Sequence, residues 1–115
     1  MVKTTAGADD PERCSAALTV AATAAASGLT VSLWLSGEAA WLAVPEQAAV
    51  FALPYSQPVP DLLAAVLENG SISVCSQCAK RRGLEGGHLM ARARIAGAAT
   101  YVAEVSERDV RALVY

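Results

Sequence analysis

The feature that most constrains the fold is the alternation of short β-branched or leucine-rich runs with helical segments along the whole chain. The clearest run is Leu29–Leu35, and a shorter one, Val2–Thr5, follows the first residue. Ala48–Leu53 is the third such run, Ser71–Val74 the fourth, and Val110–Tyr115 closes the chain as a strand. Strands that alternate with helices are typical of a layered α/β structure with a mostly parallel sheet. Right-handed crossovers place helices on both faces of that sheet.

The helices are marked by their ends. Asp10 is a helix cap followed by a proline whose φ is already helical, and Gly28 supplies a left-handed stop, so a helix is predicted from this start to Ser27. The further predicted helical segments are Glu38–Val44, Asp61–Glu68, Ser76–Arg82 and Ala98–Ser106. Pro54–Pro60 contains three prolines and is expected to be a loop, whereas Leu89–Ile95 is ambiguous.

Composition bounds the size and the partners of the protein. A chain of 115 residues fits a single domain, residues 1–115, with one core. A net charge of −2 offers no footprint for nucleic acid or for an anionic membrane. Because 54% of the residues are apolar and only 17% are charged, we expect part of the surface to be covered in a homo-oligomer.

The same composition sets an expectation for the compartment. The most apolar stretch, Ala16–Leu29, is alanine-rich and interrupted by polar residues, so it is too weak to span a bilayer. No apolar segment follows Lys3, which argues against a signal peptide. We therefore expect a cytoplasmic, reducing environment, in which a Cys-x-x-Cys motif indicates redox, sulfur or metal chemistry before a structural disulfide.

Cys75 and Cys78 form the candidate site, at the point where a predicted strand gives way to a predicted helix. A thiolate there faces free backbone N–H groups and the positive end of the helix dipole, which lower its pKa. Residues three apart on a helical turn share a face, so the two thiols could close a disulfide or share a metal. The basic run Lys80–Arg82 adds positive potential. Cys78 is either a resolving thiol or the buried side of the short helix.

Parallel strands place their functional groups at their carboxyl ends. Three segments follow such ends: Gly7–Asp10, Ser36–Glu38 and Cys75. That shared edge is the expected location of a site.

Other candidate residues have simpler interpretations. Cys14 reads as a core residue, and Trp34 and Trp41 as core or interface packing. A zinc site built from His88 and the three cysteines lacks the second closely spaced ligand pair that such sites usually have, so no metal is expected. The acids Asp9, Asp10 and Glu12 are explained by the helix cap and first turn rather than by catalysis.

Three segments resemble the DsrE/DsrF-like family of small sulfur-relay proteins, and TusD-like members in particular. They are the loop and helix start Gly7–Arg13 after a short strand, the segment Val31–Ala39, and the segment Ile72–Gly83. In TusD-like members a cysteine after the corresponding strand, followed by a short helix with a similar Arg-Arg-Gly ending, carries sulfur as a persulfide. That cysteine matches Cys75. Cys78 departs from the TusD-like pattern, which usually has an aliphatic or small residue there.

The resemblance implies a flavodoxin-like, three-layer α/β/α fold with a mostly parallel five-stranded sheet. It also implies a homotrimer or homohexamer and sulfurtransferase-like persulfide transfer between sulfur donor and acceptor proteins, without a cofactor. Two other functions stay open: a dithiol redox protein using Cys75 and Cys78, and a non-enzymatic oligomeric module that binds a ligand at the strand ends. Flavin is the obvious ligand for such a fold, but Asp9 and Asp10 would repel its phosphate.

Overall fold

A computed structural model describes all 115 residues and contains five strands, five α-helices and two short 3-10 helices. The strands are β1 (Val2–Thr4), β2 (Ser32–Leu35), β3 (Ser71–Cys75), β4 (Ala93–Ala96) and β5 (Leu113–Val114). The α-helices are α1 (Pro11–Ala26), α2 (Pro45–Val50), α3 (Val59–Leu67), α4 (Ser76–Arg81) and α5 (Ala98–Val105). The 3-10 helices cover Gly37–Ala43 and Gly86–His88.

The strands form one sheet in the order β4-β3-β2-β1-β5, and every neighbouring pair is parallel. Across the sheet Thr4 pairs with Leu35, Leu35 with Val74, and Val74 with Ile95. All five carboxyl ends therefore lie at one edge. The predicted α/β class, with a parallel five-stranded sheet, is confirmed.

The two faces of the sheet differ in chemistry. Leu33, Leu35, Ile72 and Val74 are fully buried in the apolar cluster that also contains the inner faces of α1 and α3. The alternate residues point the other way, as the period of a strand requires. On that second face only α5 covers the sheet, and it covers it mainly through polar and aromatic contacts.

Helix α1 follows the local signals in the sequence. The Asp10 side chain accepts the backbone N–H of Arg13 at 3.3 Å, and Gly28 ends the helix with φ of 86°. Four residues spaced four, three and four positions apart, as one helix face requires, are all buried: Cys14, Leu18, Ala21 and Ala25. Cap, stop and apolar periodicity agree here, so this helix was predictable from the sequence.

The strand expected at Ala48–Leu53 is wrong. Its first three residues belong to α2, which starts at Pro45 and buries Ala48, and the rest has no regular structure. A short apolar run has the same appearance in a strand and in a buried helix, so periodicity could not separate them. The strand that completes the five-stranded sheet is instead β4, which overlaps the end of the ambiguous segment Leu89–Ile95.

Two predicted boundaries also change. Helix α3 begins at Val59, inside the proline-rich segment expected to be a loop, because a proline is tolerated in the first turn of a helix. The closing strand shortens from Val110–Tyr115 to the two residues of β5. These shifts do not move the candidate site, which follows β3.

Candidate functional site

The three loops expected at the carboxyl edge of the sheet do meet there. Ser36 donates its backbone N–H to the carbonyl of Thr4 at 3.0 Å, which joins the end of β2 to the end of β1. Gly7 lies so close to the next loop that an added Cβ would stand 2.8 Å from the carbonyl oxygen of Glu38. Gly37 in turn donates its backbone N–H to the sulfur of Cys78 at 3.1 Å. The segments after β1, β2 and β3 therefore form one continuous edge.

Cys75 is the last residue of β3 and the cap of α4, as the sequence predicted. Its side chain is half-buried and lines a pocket of about 120 Å³. The wall opposite contains Lys3 from β1, Trp34 from β2 and Tyr101 from α5. The thiol therefore opens onto a small, partly aromatic cavity with one basic side chain.

The surroundings of Cys75 favour its thiolate. Burial raises the pKa of this thiol, but hydrogen bonds from the backbone N–H and the thiol of Cys78, the backbone N–H of Gln77 and the charge of Lys3 outweigh it. The net effect lowers the pKa of Cys75 below its ordinary value. Since the thiolate is the reactive form of cysteine, the surroundings of Cys75 favour nucleophilic attack more than those of Cys78 do.

Cys78 has the opposite character. It is 8% exposed, and burial raises its pKa, helped by the hydrogen bond to Cys75 and by the negative charge there. The Gly37 N–H and the Arg82 guanidinium lower the pKa of Cys78, but by less than burial and Cys75 raise it. When the pair loses a proton, these opposite shifts favour the negative charge on Cys75 and the remaining proton on Cys78.

The positive charges near the thiols are only partly those expected. Of the run Lys80–Arg82, Arg82 alone turns inward: it pairs with Glu38 at 2.9 Å and donates to the carbonyl of Cys78 at 3.2 Å. The side chain that favours the Cys75 thiolate through its charge is Lys3, which the sequence reasoning did not single out for the site. Its position could have been inferred from strand alternation, which puts it on the face opposite Val2 and Thr4.

A polar network under α5 forms the back of the pocket. Glu104 accepts the indole N–H of Trp34 at 2.9 Å and the hydroxyl of Ser32 at 2.8 Å, and it pairs with Arg94 at 2.6 Å. Trp34 also meets the ring of Tyr101 edge to face, with centroids 5.2 Å apart. Trp34 is 2% exposed, in keeping with its predicted packing role. Sequence reasoning missed Tyr101 and Glu104, because their roles depend on α5 crossing the sheet.

Lys3 belongs to this wall as well. Its ammonium group stands 4.6 Å from the centre of the Tyr101 ring, a cation–π distance. The ring holds the long lysine side chain over the sheet, on the side that faces Cys75. The basic group of the pocket is thus positioned by an aromatic neighbour rather than by a carboxylate that would cancel its charge.

The remaining candidate residues lie apart from the pocket. Cys14 is completely buried, and burial, with Asp9 and Asp10 nearby, raises its pKa to about 12. His88 is exposed and its Nδ1 accepts the backbone N–H of Glu85 at 3.0 Å. No group of three or more potential ligand side chains could hold a metal ion.

The loop that a flavin phosphate would occupy is closed on itself. The Asp9 carboxylate accepts the backbone N–H of Gly7 at 2.8 Å, and the hydroxyl of Thr4 accepts that of Ala6 at 3.2 Å. Two of the donors that could face a phosphate are thus already used by the chain's own side chains.

None of the helices has the length and apolar character needed to cross a membrane.

Comparison with known proteins agrees with this architecture. The solved structure of the ychN protein from E. coli superposes with a TM-score of 0.79 at 19% sequence identity, covering 99% of this chain and 97% of that one. No curated protein sequence matches the chain. The family model described as the DsrE/DsrF-like family matches residues 1–111. The chain belongs to the DsrE/DsrF-like family.

Proposed function

We propose that this protein is a sulfur carrier that accepts sulfane sulfur as a persulfide on Cys75 and passes it to the thiol of a partner protein. The observation that carries the proposal is the placement of Cys75. Its thiol opens onto the pocket while hydrogen bonds and a lysine charge favour its thiolate. The resemblance of the segment around Cys75 to sulfur-relay proteins supports the same role.

The chemistry needs only one nucleophilic thiolate. The Cys75 thiolate attacks the outer sulfur of a donor persulfide, a new sulfur–sulfur bond forms, and the donor leaves as a thiolate. An acceptor thiolate then attacks that same outer sulfur, and Cys75 leaves with its electron pair. The carrier ends each cycle as it began, so the exchange consumes no oxidant and no cofactor.

The size of the pocket favours a carrier over a ligand-binding module. Drug-sized and cofactor ligands occupy cavities of about 300–1,000 Å³. The pocket beside Cys75 has about 120 Å³, enough for an added sulfur atom and the tip of a cysteine side chain.

Mass spectrometry tests the proposal. After incubation with glutathione persulfide, the intact protein should gain the mass of one sulfur atom, and peptide mapping should locate that atom on Cys75. Cys75→Ser should gain none, whereas Cys14→Ala, which removes a buried thiol outside the pocket, should gain it as the wild type does. Absence of the adduct from the wild type and from Cys78→Ser alike would overturn the proposal.

A dithiol redox function is the second candidate, and one observation favours it. Cys75 caps α4 and Cys78 lies in its first turn, and each thiol shifts the pKa of the other, as expected of neighbours that attack and resolve in turn. A protein of this kind would exchange a Cys75–Cys78 disulfide with a disulfide substrate and show no stable sulfur adduct even in Cys78→Ser.

A further inference from the structure

We propose that Cys78 discharges the persulfide on Cys75, releasing hydrosulfide and leaving a Cys75–Cys78 disulfide when no acceptor takes the sulfur. This inference rests on the proposed carrier function and assigns a separate role to the second cysteine. It makes the stored sulfur short-lived unless it is delivered.

The geometry brings the attacking and the attacked sulfur together. Cys75 caps α4 and Cys78 lies in its first turn, so their side chains are neighbours on the same side of the helix. The sulfur of Cys78 is held by the backbone N–H of Gly37, which donates to it at 3.1 Å.

Burial restricts Cys78 to this one reaction. Only 8% of the residue is exposed, and it is absent from the wall of the pocket that Cys75 lines. A donor or acceptor protein can therefore reach the sulfur of Cys75 but not that of Cys78. The second thiol is available to Cys75 alone.

Loading of Cys75 itself prepares Cys78 for attack. In the free protein burial, the hydrogen bond to Cys75 and the negative charge that Cys75 can carry all raise the pKa of Cys78. Once the sulfur of Cys75 is bonded to a second sulfur, the negative charge moves to the outer atom and that hydrogen bond weakens. Burial still raises the pKa of Cys78, but the raising effect of the Cys75 charge is lost, while the Gly37 N–H and the Arg82 guanidinium still favour the Cys78 thiolate.

The step balances without an external oxidant. The Cys78 thiolate attacks the inner sulfur, which is that of Cys75, and a Cys75–Cys78 bond forms. The bond between the inner and outer sulfur breaks, and the outer sulfur leaves as hydrosulfide with the electron pair and the proton that Cys78 gave up. The sulfane sulfur is reduced by two electrons and the two cysteines are oxidised by two; a small dithiol reductant then restores the pair.

The experiment measures how long the sulfur adduct survives on protein that has been loaded once. Wild type, Cys78→Ser, Cys78→Ala and Cys14→Ala are loaded with glutathione persulfide, freed of excess donor and kept without an acceptor. Intact mass then follows the sulfur adduct and the loss of two hydrogens, and a colorimetric assay measures hydrosulfide. Circular dichroism checks that each variant is folded.

We expect the adduct to decay about tenfold or more faster in the wild type and in Cys14→Ala than in both Cys78 variants, because the attack is intramolecular. Hydrosulfide and the disulfide should appear together, in equal amounts. Equal adduct lifetimes in all four proteins, without a disulfide, would overturn this inference and leave the carrier function standing. A failure of even Cys78→Ser to gain sulfur would instead overturn the carrier function, and this inference with it.

Discussion

The backbone N–H of Gly37 donates a hydrogen bond to the sulfur of Cys78 across 3.1 Å, which ties the loop after β2 to the helix after β3. Gly37 can do this because its φ is 52° and it has no Cβ; an added one would stand 2.8 Å from the carbonyl oxygen of Thr5. One glycine thus links two loops at the carboxyl edge of the sheet and holds the buried sulfur of Cys78. The position of the buried thiol therefore depends on a residue 41 positions earlier in the chain.

Gly37→Ala should therefore destabilise the protein more than Gly28→Ala. Both glycines have a positive φ, but a Cβ at Gly28 meets no atom within 4 Å. We expect a loss in free energy of unfolding of about 1–2 kcal/mol for Gly28→Ala and about 2–4 kcal/mol for Gly37→Ala. Urea unfolding of both variants measures the difference. Equal losses in the free energy of unfolding would mean that the contact between the added methyl group and the Thr5 carbonyl relaxes without destabilising the protein.

The rate of Cys75 alkylation should stay high at pH values where an ordinary thiol is mostly protonated. The hydrogen bonds and the Lys3 charge lower the pKa of Cys75, so its thiolate persists as the pH falls. Lys3→Met removes the charge and should move the pH profile of iodoacetamide labelling to higher pH, with a slower rate at pH 7. Lys80→Met, which changes an exposed lysine that does not line the pocket, serves as control. Identical profiles for the two variants would argue against an effect of Lys3.

Cys14 should weaken the fold in alkaline solution. Its pKa rises from 9.0 to about 12 on folding, so the unfolded chain loses this proton first, and stability falls as pH rises between those values. Cys14→Ala should cost about 1–2 kcal/mol at pH 7. That deficit should shrink by about 1.4 kcal/mol for each pH unit above 9, because the variant has no such proton to lose. Urea unfolding at several pH values measures it, and a constant deficit would contradict the prediction.

Glu104 should stabilise the protein at neutral pH and less so in acid. Burial raises the pKa of this carboxyl, but hydrogen bonds from Trp34 and Ser32 and the charge of Arg94 outweigh it, so the net pKa lies below 4.5. A carboxyl with a lowered pKa contributes stability above its unfolded pKa and loses it as pH falls through the folded one. Glu104→Gln should cost about 1–3 kcal/mol at pH 7.

Comparing the stability deficit of Glu104→Gln at neutral and at acidic pH shows how much of it is due to the charge of Glu104. The deficit of Glu104→Gln should narrow as the pH falls from 4.5 through the lowered pKa of Glu104, because the unfolded chain takes up this proton before the folded one does. Glu107→Gln, an exposed acid just beyond α5, should show no such narrowing. A deficit independent of pH would assign the role of Glu104 to shape rather than charge.

Self-association is the remaining prediction, and we expect a homotrimer or homohexamer. The edge strand β5 leaves Leu113 48% and Val114 64% exposed, and unpaired apolar edges promote association. Val114→Lys should lower the mass of the assembly measured by light scattering. Thr19→Lys, which puts the same charge on the exposed side of α1, should not. A monomeric wild type would contradict the prediction.

The sequence by itself determined the local elements around the site. Asp10 and Gly28 define the ends of α1 because capping and a left-handed stop act over one turn of chain. The leucine-rich run of β2 and the strand before Cys75 were predictable for the same reason, since alternation and turn signals are local. These elements placed Cys75 at a strand end before any contact was known.

Only the tertiary structure decided what surrounds the thiols. Strand order puts Lys3 across the pocket from Cys75, and the crossing of α5 brings Tyr101 and Glu104 against Trp34. The run Ala48–Leu53 forms the end of α2 and a loop. A short apolar stretch is compatible with a strand or with a helix, and the packing of neighbouring elements decides between them. The contact of Gly37 with Cys78 joins residues far apart in the chain, and local patterns carry no information about such pairs.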